Sequence, residues 1–266
     1  MSDLDHVAHS VWDEYTDHSM NDYFSGGPGY VLIAVSIYLL IVYFLPRLMK
    51  NQDAYTLSSV IKVYNLANIF LNMGIFLVGL KSTNYGLKCF QPTTEVEKSD
   101  QLIVIGGYFC LKIFDFLDTI FFILRKKDNQ VTRLHVVHHA GMPCLVWLCI
   151  KFCPYPASMM TILLNSFVHM VMYAYYYLAS IPEYKVYLWW KKYITVVQLV
   201  QFMIIAVQAA IVLPKLGQLA IFTGSIAYVF LLYMIYSFSM FYYKTYVKVS
   251  HKPIVNSAHK LIKKAN

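Results

Sequence analysis

This chain has little charge. Only 14% of its 266 residues are Asp, Glu, Lys or Arg, against about a quarter in an ordinary soluble domain. With 58% hydrophobic residues, the composition excludes a core hidden under a charged shell and points to a membrane protein. Acids are scarcest inside the apolar stretches, where Asp115 and Asp118 are the sole carboxylates. The first 28 residues carry six acids, no Lys or Arg and no apolar h-region, which argues against a cleavable signal peptide. There is no internal repeat and no low-complexity tract. The five cysteines, Cys89, Cys110, Cys144, Cys149 and Cys153, make no CxxC pair and no zinc pattern with histidine.

What is present is a series of long apolar runs. A spanning helix needs roughly 20 mostly apolar residues, and seven segments approach that: 29–46, 57–80, 102–124, 138–153, 158–180, 193–213 and 219–243. The fourth is short and contains Pro143, which predicts a tilted or partly re-entrant helix. Prolines 46, 154, 156, 182 and 214 fall at or near the joins, where they are accommodated easily. The expected fold is all-α, a polytopic membrane protein of about seven helices. The expected organisation is a tail at 1–28, a membrane domain at 29–243 and a basic tail at 244–266.

Lys and Arg set the expected orientation, because they concentrate in cytosolic loops. Arg47 and Lys50 follow the first run, Arg125, Lys126, Lys127 and Arg133 follow the third, and Lys185, Lys191 and Lys192 follow the fifth. The alternate loops hold fewer. The N-terminus is therefore expected in the lumen and the C-terminus in the cytosol. On this reading the net charge of +8 is a topology signal, and no nucleic-acid partner is expected. The final residues "KKAN" match the dilysine retrieval signal of endoplasmic reticulum membrane proteins, a receptor-read address; the plain alternative is a basic tail. Cys89 and Cys153 fall on the expected lumenal side, where a disulfide is permitted. Buried free thiol is the default for the other three.

Polar groups within a span are costly and mark function by default. Here they are patterned. Lys112, Asp115, Asp118 and Thr119 recur at steps of three and four, which places them on one helix face. His135, His138 and His139 share a face in the same way. Asn165, His169, Tyr173 and Tyr176 form a stripe in the fifth run, Thr195, Gln198 and Gln201 in the sixth, and Asn65, Asn68 and Asn72 in the second. Taken with helix direction, Asp118, His138, Tyr173 and Gln198 fall in the cytosolic half. That depth describes a chamber open to the cytosol and rimmed by the basic loops, suited to a ligand with an anionic head and an apolar tail. Each element alone has a plainer reading: a hydrogen-bonded core histidine, interhelical amide glue, an aromatic belt, an i,i+3 ion pair. Their convergence at one depth is what argues for a site.

Two chemistries compete for the histidines. An HxxHH cluster resembles one box of the membrane di-iron desaturases and hydroxylases. Five of the nine histidines lie in the tails, however, leaving only His135, His138, His139 and His169 in the core. A di-iron centre needs many nitrogen ligands, so metal is the minority reading. The other chemistry is nucleophilic and acid–base. Neutral imidazole attacks activated acyl groups and leaves readily from the adduct. A neighbouring carboxylate, Asp115 or Asp118, would orient it.

Four ordered motifs now carry a resemblance. "KIFDFLDT" at 112–119, "HVVHH" at 135–139, "NSFVHMVMYAYY" at 165–176 and "TVVQLVQ" at 195–201 resemble KxxExxDT, HxxHH, NxxxHxxMYxYY and TxxQxxQ of the very-long-chain fatty acid elongases. These are the condensing 3-ketoacyl-CoA synthases of the endoplasmic reticulum. Asp115 stands where that family usually has Glu, with the charge kept and the reach one methylene shorter. A cysteine often found in the last lumenal loop is missing from "LPKLGQ". The resemblance implies seven spans, six of them enclosing a narrow tunnel as an inverted barrel. It implies condensation of an acyl-CoA with malonyl-CoA, with no cofactor and no metal. The catalytic residues so implied are His138 as nucleophile, His135, His139 and His169 as proton and oxyanion partners, and Asp115, Asp118 and Lys112 as orienting groups. Asn165, Tyr173, Tyr176, Gln198 and Gln201 would bind the thioester and pantetheine. Arg125, Lys126, Lys127, Arg133, Lys191 and Lys192 would attract CoA phosphates. Implied partners are membrane lipid, the ketoacyl-CoA reductase and dehydratase of the cycle, and a second copy of the chain. Trp147 or Phe152, bulky and near the expected lumenal end, are candidates to close the tunnel.

Overall fold

In a computed structural model of the chain, residues 27–90, 100, 102–152, 155–216 and 218–248 are described. The tails, with the "KKAN" signal, and Cys153, with its pairing to Cys89, lie outside them. Among the described residues every regular element is helical. The helices are α1 (Gly29–Leu48), α2 (Ser58–Ser82), α3 (Gly107–Phe114), α4 (Phe116–Leu124), α5 (Arg133–Phe152), α6 (Tyr155–Ala179), α7 (Lys191–Val212) and α8 (Gln218–Tyr242). Short 3₁₀ turns join several of them, and π-helical segments precede α3 (Leu102–Gly106) and follow α8 (Tyr243–Val247).

Among the described residues, α1, α2, α6, α7 and α8, some extended by a flanking turn, are long and apolar enough to cross a membrane. The third and fourth expected spans differ from the expectation. The third is not one rod: it breaks into a π-helical segment, α3 and α4, with Asp115 at the last junction. There the Asp118 amide bonds back to the Asp115 carbonyl, three residues away, at 3.2 Å. That tightened turn falls where the polar motif sits. The fourth begins at Arg133, five residues earlier than expected, so all three histidines of the box are helical. Pro143 lies inside α5 and has no N–H to offer the carbonyl of His139, four residues back.

The helices close a circuit. α2 packs along α6, α6 on α7, α7 on α8, α8 on α5, α5 on α3, and α3 on α2. α1 lies outside the circuit, against α4 and α5. The α2–α6 seam is close enough that a Cβ on Gly79 would sit 2.8 Å from Met159 Cε. The outer face is apolar and exposed, as at Leu32, Ile33, Val63 and Val229. That is what hydrocarbon solvent allows, because lipid does not penalise an apolar surface as water does.

The interior is layered. One half holds an apolar cluster around Val104, Tyr108, Phe109, Val146, Met159 and Leu163. The other half, where α4 ends and α5 and α7 begin, buries Lys112, Asp115, Asp118, Thr119, His139, Asn165 and His169.

Candidate active site

The break at Asp115 lets two short helices present one polar network. Lys112, in the last turn of α3, is 2% exposed. Its Nζ donates to Asp115 Oδ2 at 2.9 Å and to Asn165 Oδ1 at 3.1 Å. The same Nζ lies 3.5 Å from His169 Nδ1, and Asp115 Oδ2 lies 3.8 Å from that nitrogen. The Tyr108 hydroxyl donates to Asn165 Oδ1 at 2.7 Å. Lys112 is thus more than an i,i+3 pair: it joins α3 to the His169 face of α6. A buried cation is tolerable only when paired and hydrogen-bonded in this way.

Tyr173 occupies the space between the two acids. Its hydroxyl is 3.0 Å from Asp115 Oδ1 and 2.6 Å from Asp118 Oδ2, with the Tyr64 hydroxyl 3.4 Å away. One phenolic proton therefore lies between two carboxyl groups. Asp118 does not reach a histidine; it holds Tyr173. Asp115 is the acid that faces an imidazole, that of His169 rather than one of the HxxHH box. The shorter Asp side chain still makes both contacts from this position.

The histidine box is held from another direction. His135 Nε2 lies 2.8 Å from Thr119 Oγ1, which lies 3.0 Å from the Tyr38 hydroxyl. Tyr38 comes from α1, is 1% exposed, and stacks on Phe116 at 4.3 Å. The rings of His135 and His139 are 4.2 Å apart, and those of His138 and His139 5.4 Å apart. His138 Nδ1 is buried with no hydrogen-bond partner among the described residues. Asn65 Nδ2, Asn68 Oδ1, Asn72 Oδ1, Trp147 Nε1 and Ser166 Oγ share that state.

His138 opens onto a cavity of about 160 Å³. Tyr108, Asn165 and Gln201 line it together with His138, as do Val212, Leu213, Leu216 and Gly224 from the end of α7, the turn after it and the first turns of α8. Gln201 is buried, whereas Gln198 is half-buried and meets Met172 Sδ at 3.8 Å. Tyr176 lies at the edge, 38% exposed, against Tyr173. Arg125 is half-buried, and Lys126, Lys127, Arg133, Lys191 and Lys192 are exposed at the same end of the helices. Lys126 Nζ reaches the Lys50 carbonyl at 3.4 Å.

Several expectations change. Asn68 and Asn72 donate to the carbonyls of Tyr64 and Asn68, one turn back on their own helix, while their buried Oδ1 atoms have no partner among the described residues. Trp147 and Phe152 are absent from the cavity wall and pack edge to face with each other. Among the described residues no set of three His, Cys, Asp or Glu converges as metal ligands: His135 turns to Thr119 and His169 to Lys112. Tyr38, Tyr64 and Tyr108 were not singled out from the sequence. Tyr38 and Tyr64 reach the site from α1 and α2, whereas Tyr108 stands one turn before Lys112 on α3, where the same four-residue step would have marked it.

The chain is similar in sequence to known proteins. Very long chain fatty acid elongase 5 of Rattus norvegicus is 38% identical over 223 residues, covering 81% of this chain and 74% of its own. The Homo sapiens protein of that name is 38% identical over 219 residues, covering 80% and 72%. Very long chain fatty acid elongase 7 of Drosophila melanogaster is 37% identical over 253 residues, covering 90% and 75%. With residues 23–254 matching the family as a whole, the chain belongs to the ELO, or GNS1/SUR4, family.

Proposed function

We propose that this protein condenses a long-chain acyl-CoA with malonyl-CoA in the endoplasmic reticulum membrane, giving 3-ketoacyl-CoA, carbon dioxide and CoA. The observation that carries the reading is the His138 ring, which opens onto a mostly apolar cavity. The cavity is shared with Tyr108 and Asn165 of the Lys112 network.

In the first half-reaction an imidazole nitrogen of His138 attacks the thioester carbonyl. A C–N bond forms, the C–S bond breaks, and CoA leaves as thiolate to be protonated. In the second, malonyl-CoA loses carbon dioxide and the electron pair of the broken C–C bond becomes its enolate. The enolate carbon attacks the acyl-imidazole, a C–C bond forms, and the C–N bond breaks to restore the ring. The Lys112 ammonium beside His169 Nδ1 makes that nitrogen an acceptor and leaves the proton on Nε2. His169 Nε2–H is then a donor for a developing oxyanion. Thr119, anchored by Tyr38, holds His135 by Nε2. The exposed lysines and arginines at this end would meet CoA phosphates. Reduction and dehydration of the product fall to partner enzymes, with no cofactor needed for condensation itself.

The test is purified protein in detergent with labelled malonyl-CoA and a panel of acyl-CoAs, with and without an iron chelator. Chelator-insensitive release of carbon dioxide with a 3-ketoacyl-CoA product is the expected result. Turnover that needs oxygen and iron, without condensation, would overturn it.

A further inference from the structure

Outside the helical circuit, the end of α1 and the end of α4 form an open cleft of about 810 Å³. One stripe of α1, stepping by three and four, supplies an apolar floor at Leu39, Val42 and Tyr43 and a basic rim at Arg47 and Lys50. Ile123 of α4 completes the floor, and the segment after α4 adds Lys126 and Asp128 to the rim. Three cations therefore stand against one acid. The cleft is far larger than the share of one water in the liquid, about 30 Å³, so it suits a molecule of many atoms. None of these residues lines the cavity beside His138.

Local structure turns the charges into the cleft. α1 belongs to an apolar span that ends at Asn51, so its basic residues mark the edge of the hydrocarbon. Side chains lean toward the N-terminus of their helix, which from Arg47 is back into the membrane. The Arg47 guanidinium follows that direction: it donates to the Tyr43 carbonyl, one turn deeper, and its Cζ lies 3.6 Å from the centre of the Tyr43 ring. A cation near the end of a span ordinarily reaches outward to the interface. Arg47 instead stands where the apolar floor begins, with further N–H donors on its fork for an anion. Lys126 is fixed from the other side. Its φ is +52°, its amide bonds the Ile123 carbonyl at 2.9 Å, and the Lys127 amide bonds the Phe122 carbonyl at 2.8 Å. That left-handed helix cap usually takes glycine. A lysine there carries its Nζ to α1, 3.4 Å from the Lys50 carbonyl. The Tyr55 amide, on the connection to α2, bonds the Leu124 carbonyl at 3.0 Å and ties the same rim together.

We infer that this cleft binds an anionic phospholipid, with the phosphate at Arg47, Lys50 and Lys126 and an acyl chain along Leu39, Val42 and Ile123. Charge and depth choose the occupant. Basic groups at the edge of a span hold acidic headgroups, and the floor beneath them offers a hydrocarbon tail an apolar wall. A soluble anion would leave the floor unused, and a neutral lipid the rim. The bound lipid also bears on the polar network. Leu39 follows Tyr38, and Ile123 stands one turn after Thr119; the Tyr38 and Thr119 hydroxyls are 3.0 Å apart. A molecule lodged between α1 and α4 clamps together the pair that holds His135. None of this depends on which reaction the protein catalyses.

The experiment uses the purified full-length protein. Phosphatidylserine and phosphatidylcholine are titrated by native mass spectrometry, and thermal midpoints are read in phosphatidylcholine nanodiscs with and without phosphatidylserine. Wild type is compared with Arg47→Gln/Lys50→Gln, with Val42→Trp, which fills the floor and keeps the charges, and with Lys185→Gln, exposed before α7 and outside the cleft. Wild type is expected to retain phosphatidylserine in preference to phosphatidylcholine and to melt higher in its presence. A basic residue near a lipid surface contributes about a fivefold factor in affinity, so the double variant should bind phosphatidylserine roughly twentyfold more weakly. Val42→Trp should also bind it more weakly, and Lys185→Gln should match wild type. If the double variant does not fold, Val42→Trp decides. Equal retention of both lipids, unchanged affinity in the cleft variants, or an equal loss in Lys185→Gln would overturn the site. So would CoA that displaces phosphatidylserine from wild type and binds the double variant more weakly, because the rim would then belong to a soluble phosphate.

Discussion

The two ends of the helical circuit are built on opposite rules. At one end, ionisable and polar side chains are buried and tied to each other across helices: Lys112 to Asp115 and Asn165, Tyr173 to both acids, His135 to Thr119 and Tyr38. At the other, Val104, Val146, Met159, Leu163 and their neighbours pack mainly through apolar contacts, with no Asp, Glu, Lys, Arg or His in the cluster. The apolar end is tolerant, because dispersion contacts are individually weak and adjustable. The polar end is brittle: removing one partner strands another in a medium without water. A chemistry of imidazole and thioester needs the first environment, and a hydrocarbon tail needs the second. His138 stands at the border of the two.

The sharpest break in that comparison is His138→Ala. It is expected to abolish the acyl-enzyme adduct seen by mass spectrometry and to lower turnover at least about a thousandfold, with the fold kept. A persisting adduct would move the nucleophile elsewhere. Next is Lys112→Met, which leaves Asp115 buried without its cation. A loss of about 3–5 kcal/mol is expected, read as a lowered thermal midpoint in detergent, together with a fall in activity. Replacing Lys112 and Asp115 together by Met and Leu should return much of the stability and none of the activity, separating the two roles. In the apolar half, Met159→Ala should cost about 2–3 kcal/mol through the cavity it leaves, while activity per folded molecule changes little. The smallest effect is Tyr38→Phe. It removes one hydrogen bond to Thr119, about 1 kcal/mol, and turnover should fall severalfold with substrate KM nearly unchanged. A wild-type kcat would mean that Thr119 holds His135 without help from α1.

Much of the polar half was legible in advance because its pattern is local. Steps of three and four placed Lys112, Asp115, Asp118 and Thr119 on one face, and His135, His138 and His139 on another. What could not be read was which group meets which. Asp118 was expected to orient a histidine and instead holds Tyr173, 55 residues away. Tyr38 enters from 81 residues before Thr119, on a helix whose composition is that of a plain lipid-facing span. The second-helix asparagines looked like part of the chamber, but Asn68 and Asn72 bond their own backbone. Periodicity reports the face a residue occupies and says nothing about the partner across it.

The apolar half was the less legible of the two. The bulk of Trp147 and Phe152 near the expected tunnel end marks them from sequence, yet neither lines the cavity, whose wall includes Leu213 and Leu216. A cavity wall depends on where side chains from different helices meet, and Leu213 meets α8 where Gly224 has no side chain.

By itself, then, the sequence determined that the chain is a helical membrane protein with one buried ionisable site, since transfer of charge into hydrocarbon is so unfavourable that such residues are placed only for a reason. Its spacing determined which side chains share a helix face. The tertiary structure alone decided the break at Asp115, the closure of the circuit with α1 outside it, the pairing of His169 with Lys112, and the wall of the cavity. Each of those is a contact between segments far apart in the chain. Its energy depends on fits of a few tenths of an ångström that no local pattern encodes.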